Sequence, residues 1–297
     1  MKKRLGIIDL GTNTFNLLIV DKEDGKFEKI HSTKEGVGLG LGGINDGFIA
    51  DDAMQRGVET LKRFLQKCKE LGVDKTKAFA TSAIRDAKNQ SEFLEILRND
   101  LDLEVEVISG DREAALIHQG VKIGYPFNLP AVIMDIGGGS TEFIYANQQE
   151  VLKAHSFNIG TARIYQKFEF SDPYTKEDVK KVVDYLEEKT AGFFDAIDAS
   201  ILIGASGSFE TFYAVMNQRE YPEDNFEDMN AQLLLKILDD MIFSSLEERM
   251  KNPFIIPIRK KMAPIAAIKI KWIIEKLNIK TLTISPFAMK EGVIQLM

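Results

Sequence analysis

Two stretches of the chain share one pattern of apolar and polar positions. In residues 5–20 and again in residues 133–144, an apolar run ends in an aspartate, a few small residues follow, and a second apolar run begins. Aligning Asp9 with Asp135 superimposes the two patterns, 126 positions apart. The pattern predicts two β-hairpins, each closed by a turn of small residues that leave the backbone accessible. Its repetition indicates two similar halves.

Small residues in both turns are suited to binding an anion. Without a Cβ, glycine lets backbone N–H groups close around an anion, and the aspartate before each turn can hold a hydrated cation. If the halves face each other, the turns converge on one cleft that suits a phosphate chain and a divalent cation. An ordinary glycine-rich hairpin is the alternative. The turn residues are Gly11, Thr12, Asn13, Thr14, Gly137, Gly138, Gly139 and Ser140.

Alternation and helical spacing predict most other elements. The glycine-rich residues 35–43 are expected to form a mobile loop, and the turn-rich residues 124–129 a crossover between domains 1–124 and 125–297. The last helix, about residues 287–297, can pack back on the first domain. Strands are expected at 26–30, 77–80, 101–107, 150–157, 200–204 and 279–285, and helices at 51–71, 109–120, 175–196, 229–250 and 289–297.

Two charged residues in the first half are candidates for chemistry. Glu113 lies in the first turn of a helix that starts near residues 109–111, where the helix dipole favours the ionised form that a general base requires. Its alternative is an ordinary first-turn carboxylate. Arg85 follows a strand end, where it either binds phosphate or pairs with a carboxylate, and spacing alone slightly favours the pair.

The second half contains two further candidates for anion binding. The small residues 204–208 precede a helix and suit either an anion cradle or close packing between strand and helix. Residues 251–276 hold seven basic residues and one acidic residue, which indicates either a solvated helix face or a channel for a polyanion. The channel would involve Arg259, Lys260 and Lys261.

Composition excludes several classes of protein. The chain has 297 residues, 44% of them hydrophobic, and a net charge of −7, which argues against broad binding of DNA or RNA. Its single cysteine, Cys68, and its three histidines make a disulfide framework and a zinc site improbable. Without a signal peptide or a long apolar span, the expected location is the cytoplasm, with no membrane partner.

Five motifs in order resemble the exopolyphosphatase / guanosine pentaphosphate phosphohydrolase family, in its short two-domain form. The resemblance implies an α/β fold of two actin-like (ribonuclease H-like) domains, as in sugar kinases, heat-shock chaperones and actin, with the active site in the cleft between them. The motifs are residues 8–14 (IDLGTNT), 80–89 (ATSAIRDAKN), 108–114 (ISGDREA), 135–142 (DIGGGSTE) and 285–292 (SPFAMKEG).

The resemblance also assigns roles to individual residues. Glu113 matches the glutamate that activates water, and Arg85 matches an arginine that contacts phosphate. Asp135 and Glu142, with Asp9, match acidic positions around Mg²⁺, and both turns match phosphate-binding turns. The implied activity is release of terminal phosphate from inorganic polyphosphate or guanosine pentaphosphate. A homodimer is left open.

Departures from the family pattern keep two other functions open. Asn16 and Gly38 stand where arginines are usual, residues 205–208 replace a Gly-Gly-Thr signature, and Ala288 and Lys290 replace Gly and Arg. Each lost arginine removes charge-assisted hydrogen bonds of about 1.5 to 3 kcal/mol. A binding protein for polyphosphate or a guanosine tetra- or pentaphosphate, without turnover, is therefore an alternative. A phosphotransferase of the same superfamily is another.

Overall fold

Two β-sheets flanked by helices form the two halves of the chain in the computed structural model, which describes residues 1–222 and 224–297. The sheet of the first half has the strand order β3-β2-β1-β4-β5. Its elements are β1 (Lys3–Leu10), β2 (Thr14–Glu23), β3 (Lys26–Gly36), α1 (Asp51–Glu70), β4 (Lys75–Ala80), α2 (Ser82–Arg85), α3 (Gln90–Leu101), β5 (Val105–Val107) and α4 (Gly110–Val121).

The second half repeats this order with one added strand. Its sheet has the order β10-β11-β9-β6-β7-β8, and a 3₁₀ turn at Pro257–Arg259 precedes α10. Its elements are β6 (Ala131–Ile136), β7 (Thr141–Ala146), β8 (Val151–Phe157), α5 (Thr161–Lys167), α6 (Lys176–Lys189), β9 (Ile201–Gly204), α7 (Gly207–Asn217), β10 (Glu227–Met229), α8 (Ala231–Ile242), α9 (Leu246–Lys251), α10 (Ala263–Lys276), β11 (Thr281–Ile284) and α11 (Met289–Leu296).

Strand pairing confirms the predicted internal repeat. In each half the first three strands form an antiparallel meander. A fourth strand pairs in parallel with the first, and a fifth pairs in parallel with the fourth. The register is also repeated, because Asp9 pairs with Asn16 across the first hairpin and Asp135 with Glu142 across the second. The two halves therefore have the actin-like order that the motifs implied.

Helices α4 and α11 join the two halves. They contact each other closely at Gly120 and Gly292, where an added Cβ would collide with the backbone of the facing helix. Their apolar faces belong to one buried cluster that includes Ile7 of β1 and Ile133 of β6. Lys22 of β2 also donates a hydrogen bond to the carbonyl of Ile294 at 2.7 Å. The last helix thus packs on α4 and β1.

Two predicted elements are shorter than expected. The strand predicted at 101–107 begins only at Val105, because α3 continues to Leu101 and ends where Asp102 takes a left-handed conformation (φ 50°). The helix predicted at 175–196 ends at Lys189, although its start is confirmed by the capping box of Thr175 and Asp178.

Two other segments have a different structure from the one predicted. The single helix predicted at 229–250 is two helices, because Ser245 caps a new helix by accepting from the backbone N–H of Glu248. The expected mobile loop at 35–43 is packed instead. Val37 and Gly38 both donate backbone hydrogen bonds to Asn13 O, at 3.0 and 2.9 Å, and the side chain of Val37 is buried.

Candidate active site

The two turns have the same backbone geometry and line one cleft. Gly11 N donates to Thr14 O at 3.2 Å, and Gly137 N donates to Ser140 O at 3.1 Å. Among the described residues, no backbone hydrogen bond uses the N–H groups of Gly138 or Gly139. Free N–H groups on a glycine turn are the donors that an anion needs. The cleft, of about 170 Å³, is lined by all eight turn residues and by Asp9, Glu113, Asp135 and Glu142.

The glycines of the second turn also let the halves approach each other. A Cβ at Gly138 would lie 2.6 Å from the side chain of Asn13, and one at Gly139 would lie 2.6 Å from the hydroxyls of Thr12 and Ser82. Side chains of the first half therefore occupy the space that these glycines leave. Close contact across the cleft is a second reason for glycine here, and it depends on how the two halves meet.

The N-terminus of α5, with its N-cap residue Gly160, holds the second turn from behind. Gly160 N donates to Gly139 O at 3.1 Å, Thr161 N to Gly137 O at 3.0 Å, and Ala162 N to Gly138 O at 2.8 Å. These bonds use the carbonyl groups of the turn. Because the carbonyls are fixed on one side, the turn is a preorganised site rather than a mobile loop.

Six acidic side chains line the cleft within the described residues, and the four predicted ones, Asp9, Glu113, Asp135 and Glu142, are among them. Asn16 donates to Asp9 at 2.9 Å, Ser156 donates to Glu142 at 2.6 Å, and Arg85 Nη1 donates to Glu113 Oε2 at 2.9 Å. Glu113 is 8% exposed and Glu142 is 1% exposed. The structure therefore brings Arg85 onto Glu113, which is the carboxylate pairing that spacing favoured. Its predicted contact with phosphate stays a prediction.

Burial and mutual repulsion raise the pKa values of these carboxyl groups. Burial and the charge of Glu142 raise the pKa of Glu113 well above its usual value, against the opposing effect of Arg85. Burial, Glu142 and Asp9 likewise raise the pKa of Asp135 well above its usual value. Burial also raises the pKa values of Glu142 and Asp9. The expectation that the helix dipole would favour ionised Glu113 was wrong in direction, because desolvation dominates.

Three cationic side chains reach the cleft from different elements. Lys34 of β3 pairs with Glu210 of α7 at 2.8 Å, Lys290 lies on α11, and Arg259 donates to Gly207 O at 2.6 Å. Lys34 was missed, because its position depends on how the halves meet. Lys290 was noted only as a departure from the family pattern.

The other predicted cations do not line the cleft. Lys260 Nζ donates to Met250 O at 2.6 Å, and Lys261 is exposed. Part of the proposed cradle at 204–208 serves packing, since a Cβ at Gly204 would collide with the ring of Phe209. The cleft is still lined by residues 205–208, beside the guanidinium of Arg259.

Comparison with known proteins identifies the family. The model of the Ppx/GppA phosphatase family matches residues 18–297. The chain belongs to this family. Its structure is similar to the crystal structure of an exopolyphosphatase from Cytophaga hutchinsonii, with 33% identity, a TM-score of 0.95, and coverage of 98% of this chain and 96% of that chain. The Ppx/GppA enzyme of Aquifex aeolicus has 27% identity, a TM-score of 0.83 and coverage of 100% of both chains.

A longer curated relative carries the same region. It is the bifunctional 3-dehydroquinate synthase/phosphatase of Fusobacterium nucleatum subsp. nucleatum, 33% identical over 272 residues, or 84% of this chain. The chain spans 41% of that relative's length. None of the helices in residues 1–222 and 224–297 combines the length and the apolar character of a membrane span.

The oxygen atoms of the cleft fit a hard divalent cation. Among the described residues, no group of three or more His, Cys, Asp or Glu side chains has the arrangement of a complete metal site. Magnesium, however, keeps several waters and uses one or two carboxylates together with substrate phosphates. Asn13 Oδ1 and Asn16 Oδ1 are also buried without a partner among the described residues. This Ppx/GppA cleft thus offers oxygen donors and surplus negative charge.

Proposed function

We propose that this protein hydrolyses a terminal phosphoanhydride bond, in inorganic polyphosphate or in guanosine pentaphosphate. The observation that carries the proposal is the position of Glu113, a buried carboxylate in the same cleft as both glycine turns. A general base works best when its pKa lies near the operating pH, and the environment of Glu113 shifts its pKa upward. Turns that bind phosphate and a base beside them are the parts that hydrolysis requires.

Each part of the cleft has a role in the proposed reaction. The N–H groups of Gly138 and Gly139 bind the terminal phosphoryl group, and Glu113 takes a proton from water as the water oxygen attacks phosphorus. The bridging P–O bond breaks, and the shortened polyphosphate or nucleotide leaves with the bridging oxygen and the electron pair. Glu113 then returns its proton to the leaving oxygen or to solvent. Arg85 holds the carboxylate of Glu113 in place through its hydrogen bond. Lys34 and the other cations of the cleft offset charge on the phosphates.

Among Asp135, Glu142 and Asp9, one or two carboxylates would hold Mg²⁺, together with waters and substrate phosphates. The raised pKa values of all three carboxyl groups and the two unpartnered amide oxygens support this assignment. A bound cation supplies positive charge that would offset both the carboxylates and the phosphates. Phosphohydrolase activity that magnesium salts do not stimulate, even after treatment with a chelator, would contradict it.

Binding without turnover is the second candidate. Gly38, where the family has an arginine, takes a left-handed conformation (φ 62°), and an added Cβ would lie 2.7 Å from the side chain of Leu41. Asn16 is likewise bound to Asp9 and offers no cation. The cleft therefore has fewer charge-assisted contacts for a polyanion than the family pattern provides. Nucleotide or polyphosphate binding without phosphate release would favour this candidate.

Replacing Glu113 by glutamine tests the proposal. We expect Glu113→Gln to lower the rate of phosphate release about a thousandfold, since a general base contributes about 10² to 10⁴. Glu106→Gln is the matched control, because Glu106 lies exposed on β5 and receives the same chemical change. Phosphate release from polyphosphate and guanosine pentaphosphate is the measurement.

Two results would contradict the hydrolase. One is full activity in Glu113→Gln, which would assign the base elsewhere. The other is no release from either substrate by the wild-type protein, together with measurable binding of one of them by calorimetry. The second result would establish the binding protein instead.

A further inference from the structure

A lysine lies in the apolar core of the second half, behind the second turn. Lys269 of α10 is 0% exposed, and its neighbours Ile268 and Ile270 belong to the buried core. An ammonium group in such surroundings costs folding free energy unless acceptors compensate it. Burial lowers the pKa of Lys269 to about 7, while the charges of Glu142 and Asp135 act in the opposite direction. The apolar core gives no reason for a lysine at this position.

One hydrogen bond of Lys269 leads into the turn. Its Nζ donates to Thr141 Oγ1, and Thr141 is the first residue of β7. The hydroxyl of Thr141 donates in turn to Ser140 O at 2.9 Å. Ser140 O also accepts from Gly137 N and so closes the turn. A continuous chain of hydrogen bonds therefore connects the ammonium group to the turn.

The other hydrogen bond fixes the segment that covers the turn. Lys269 Nζ donates to Ile159 O at 2.7 Å, directly before Gly160. Residues 160–162 bind all three glycine carbonyls of the turn. Both acceptors of Lys269 are uncharged, and both belong to chain segments in contact with the turn. One buried group thus holds the strand and the covering segment together.

We propose that Lys269 is a positioning residue for the second turn, which it fixes from behind the sheet so that the N–H groups of Gly138 and Gly139 meet a terminal phosphate. Lys269 does not line the cleft, so it acts through Thr141 and Ile159 rather than by contact with substrate. The proposal rests on the function proposed above, in which this turn binds phosphate.

Replacing Lys269 by methionine separates positioning from a purely structural role. Methionine has a similar length and removes the buried charge, so the relief of its desolvation cost offsets the loss of its two hydrogen bonds. We expect Lys269→Met to keep its thermal midpoint, while kcat/KM and the affinity for inorganic phosphate each fall about tenfold. Lys271→Met is the matched control on the same helix, since Lys271 pairs with Asp239 on the outside. A lower thermal midpoint with unchanged kcat/KM and phosphate affinity would overturn the proposal.

A double-mutant cycle tests whether Lys269 acts through Thr141. We expect Thr141→Val to weaken phosphate binding, and the double variant to bind phosphate no more weakly than Lys269→Met alone. Losses that multiply in the double variant would overturn the proposed chain. Calorimetry with inorganic phosphate needs no turnover, so this result is independent of the outcome for Glu113→Gln, which is expected to retain phosphate binding.

Discussion

The two hairpins of this molecule close with the same backbone hydrogen bond and differ in the residue that faces the aspartate across the strands. Gly11 and Gly137 close their turns with the same hydrogen bond, at 3.2 and 3.1 Å. Across the first hairpin Asp9 faces Asn16, an amide that donates to it at 2.9 Å. Across the second, Asp135 faces Glu142, a second carboxylate. The repeat conserves the shape of the site and changes its charge.

Because of that difference, the two hairpins have different effects on the carboxyl groups of the cleft. The amide of Asn16 opposes the burial that raises the pKa of Asp9, whereas the charge of Glu142 adds to the burial that raises the pKa of Asp135. Glu142 also raises the pKa of Glu113, which places the proposed base beside the second hairpin. We infer that the first hairpin mainly binds phosphate, and that the second also governs the chemical step.

Matched changes at the cross-strand positions test this division, with the largest effect expected at the second hairpin. Glu142→Gln removes a charge beside the reacting atoms, so kcat should fall about a hundredfold. Asn16→Asp adds a charge to the phosphate-binding hairpin, so KM should rise about tenfold with little change in kcat. Steady-state kinetics of phosphate release measure both constants.

Equal effects of the two variants on kcat would contradict the proposed difference between the hairpins. If Asn16→Asp lowers kcat as much as Glu142→Gln does, both hairpins take part equally in the chemical step. Thermal midpoints of the two variants control for misfolding. Both residues are buried, so each variant is compared with wild type at a temperature well below its own midpoint.

Local patterns explain what the sequence could predict. The hairpins follow from apolar runs and glycine turns, and the cap at Ser109 follows from a polar residue before an apolar helix face. The break before Ser245 was missed, although Ser245 and Glu248 have the spacing of a capping box, because apolar spacing continued across it. The capping box was a correct local signal for a new helix, and the apolar spacing was the misleading one.

Contacts between distant segments explain what the sequence could not predict. Asn13 against Gly138, and Lys34 against Glu210, depend on how the halves meet. The direction of the pKa shift of Glu113 depends on the proximity of Glu142, which lies in the other half of the chain. Family motifs identified Glu113 and Glu142 as candidates, but no motif shows how close the two side chains lie in the folded protein.

The carboxylate cluster should make stability depend on pH. Because the folded state raises these pKa values, it binds more protons than the unfolded chain, and the free energy of unfolding should fall as pH rises through them. Asp135→Asn should flatten this fall above about pH 4, the ordinary pKa of an aspartate. Lys269, whose pKa burial lowers to about 7, acts with the opposite sign above about pH 7.

Urea unfolding of the metal-free protein at several pH values measures this effect. The difference in unfolding free energy between Asp135→Asn and wild type isolates the cluster, since histidines and surface groups contribute equally to both. If that difference does not change with pH, the pKa of Asp135 is not raised in the folded state. Magnesium chloride should stabilise wild type more than Asp135→Asn, because asparagine lacks the carboxylate that would bind the cation in the folded state.

The smallest effect is expected from cations outside the cleft. Lys260 is bound to Met250 O, and Lys261 is exposed, so reversal of both charges to glutamate should change KM by less than about twofold. Arg259→Gln is the contrasting variant, because this guanidinium lines the cleft, and it should raise KM. If the charge reversal raises KM at low salt and the rise disappears at high salt, substrate also contacts this surface. The positive charge that binds substrate would then extend beyond the two hairpins, along the channel that the basic sequence first suggested.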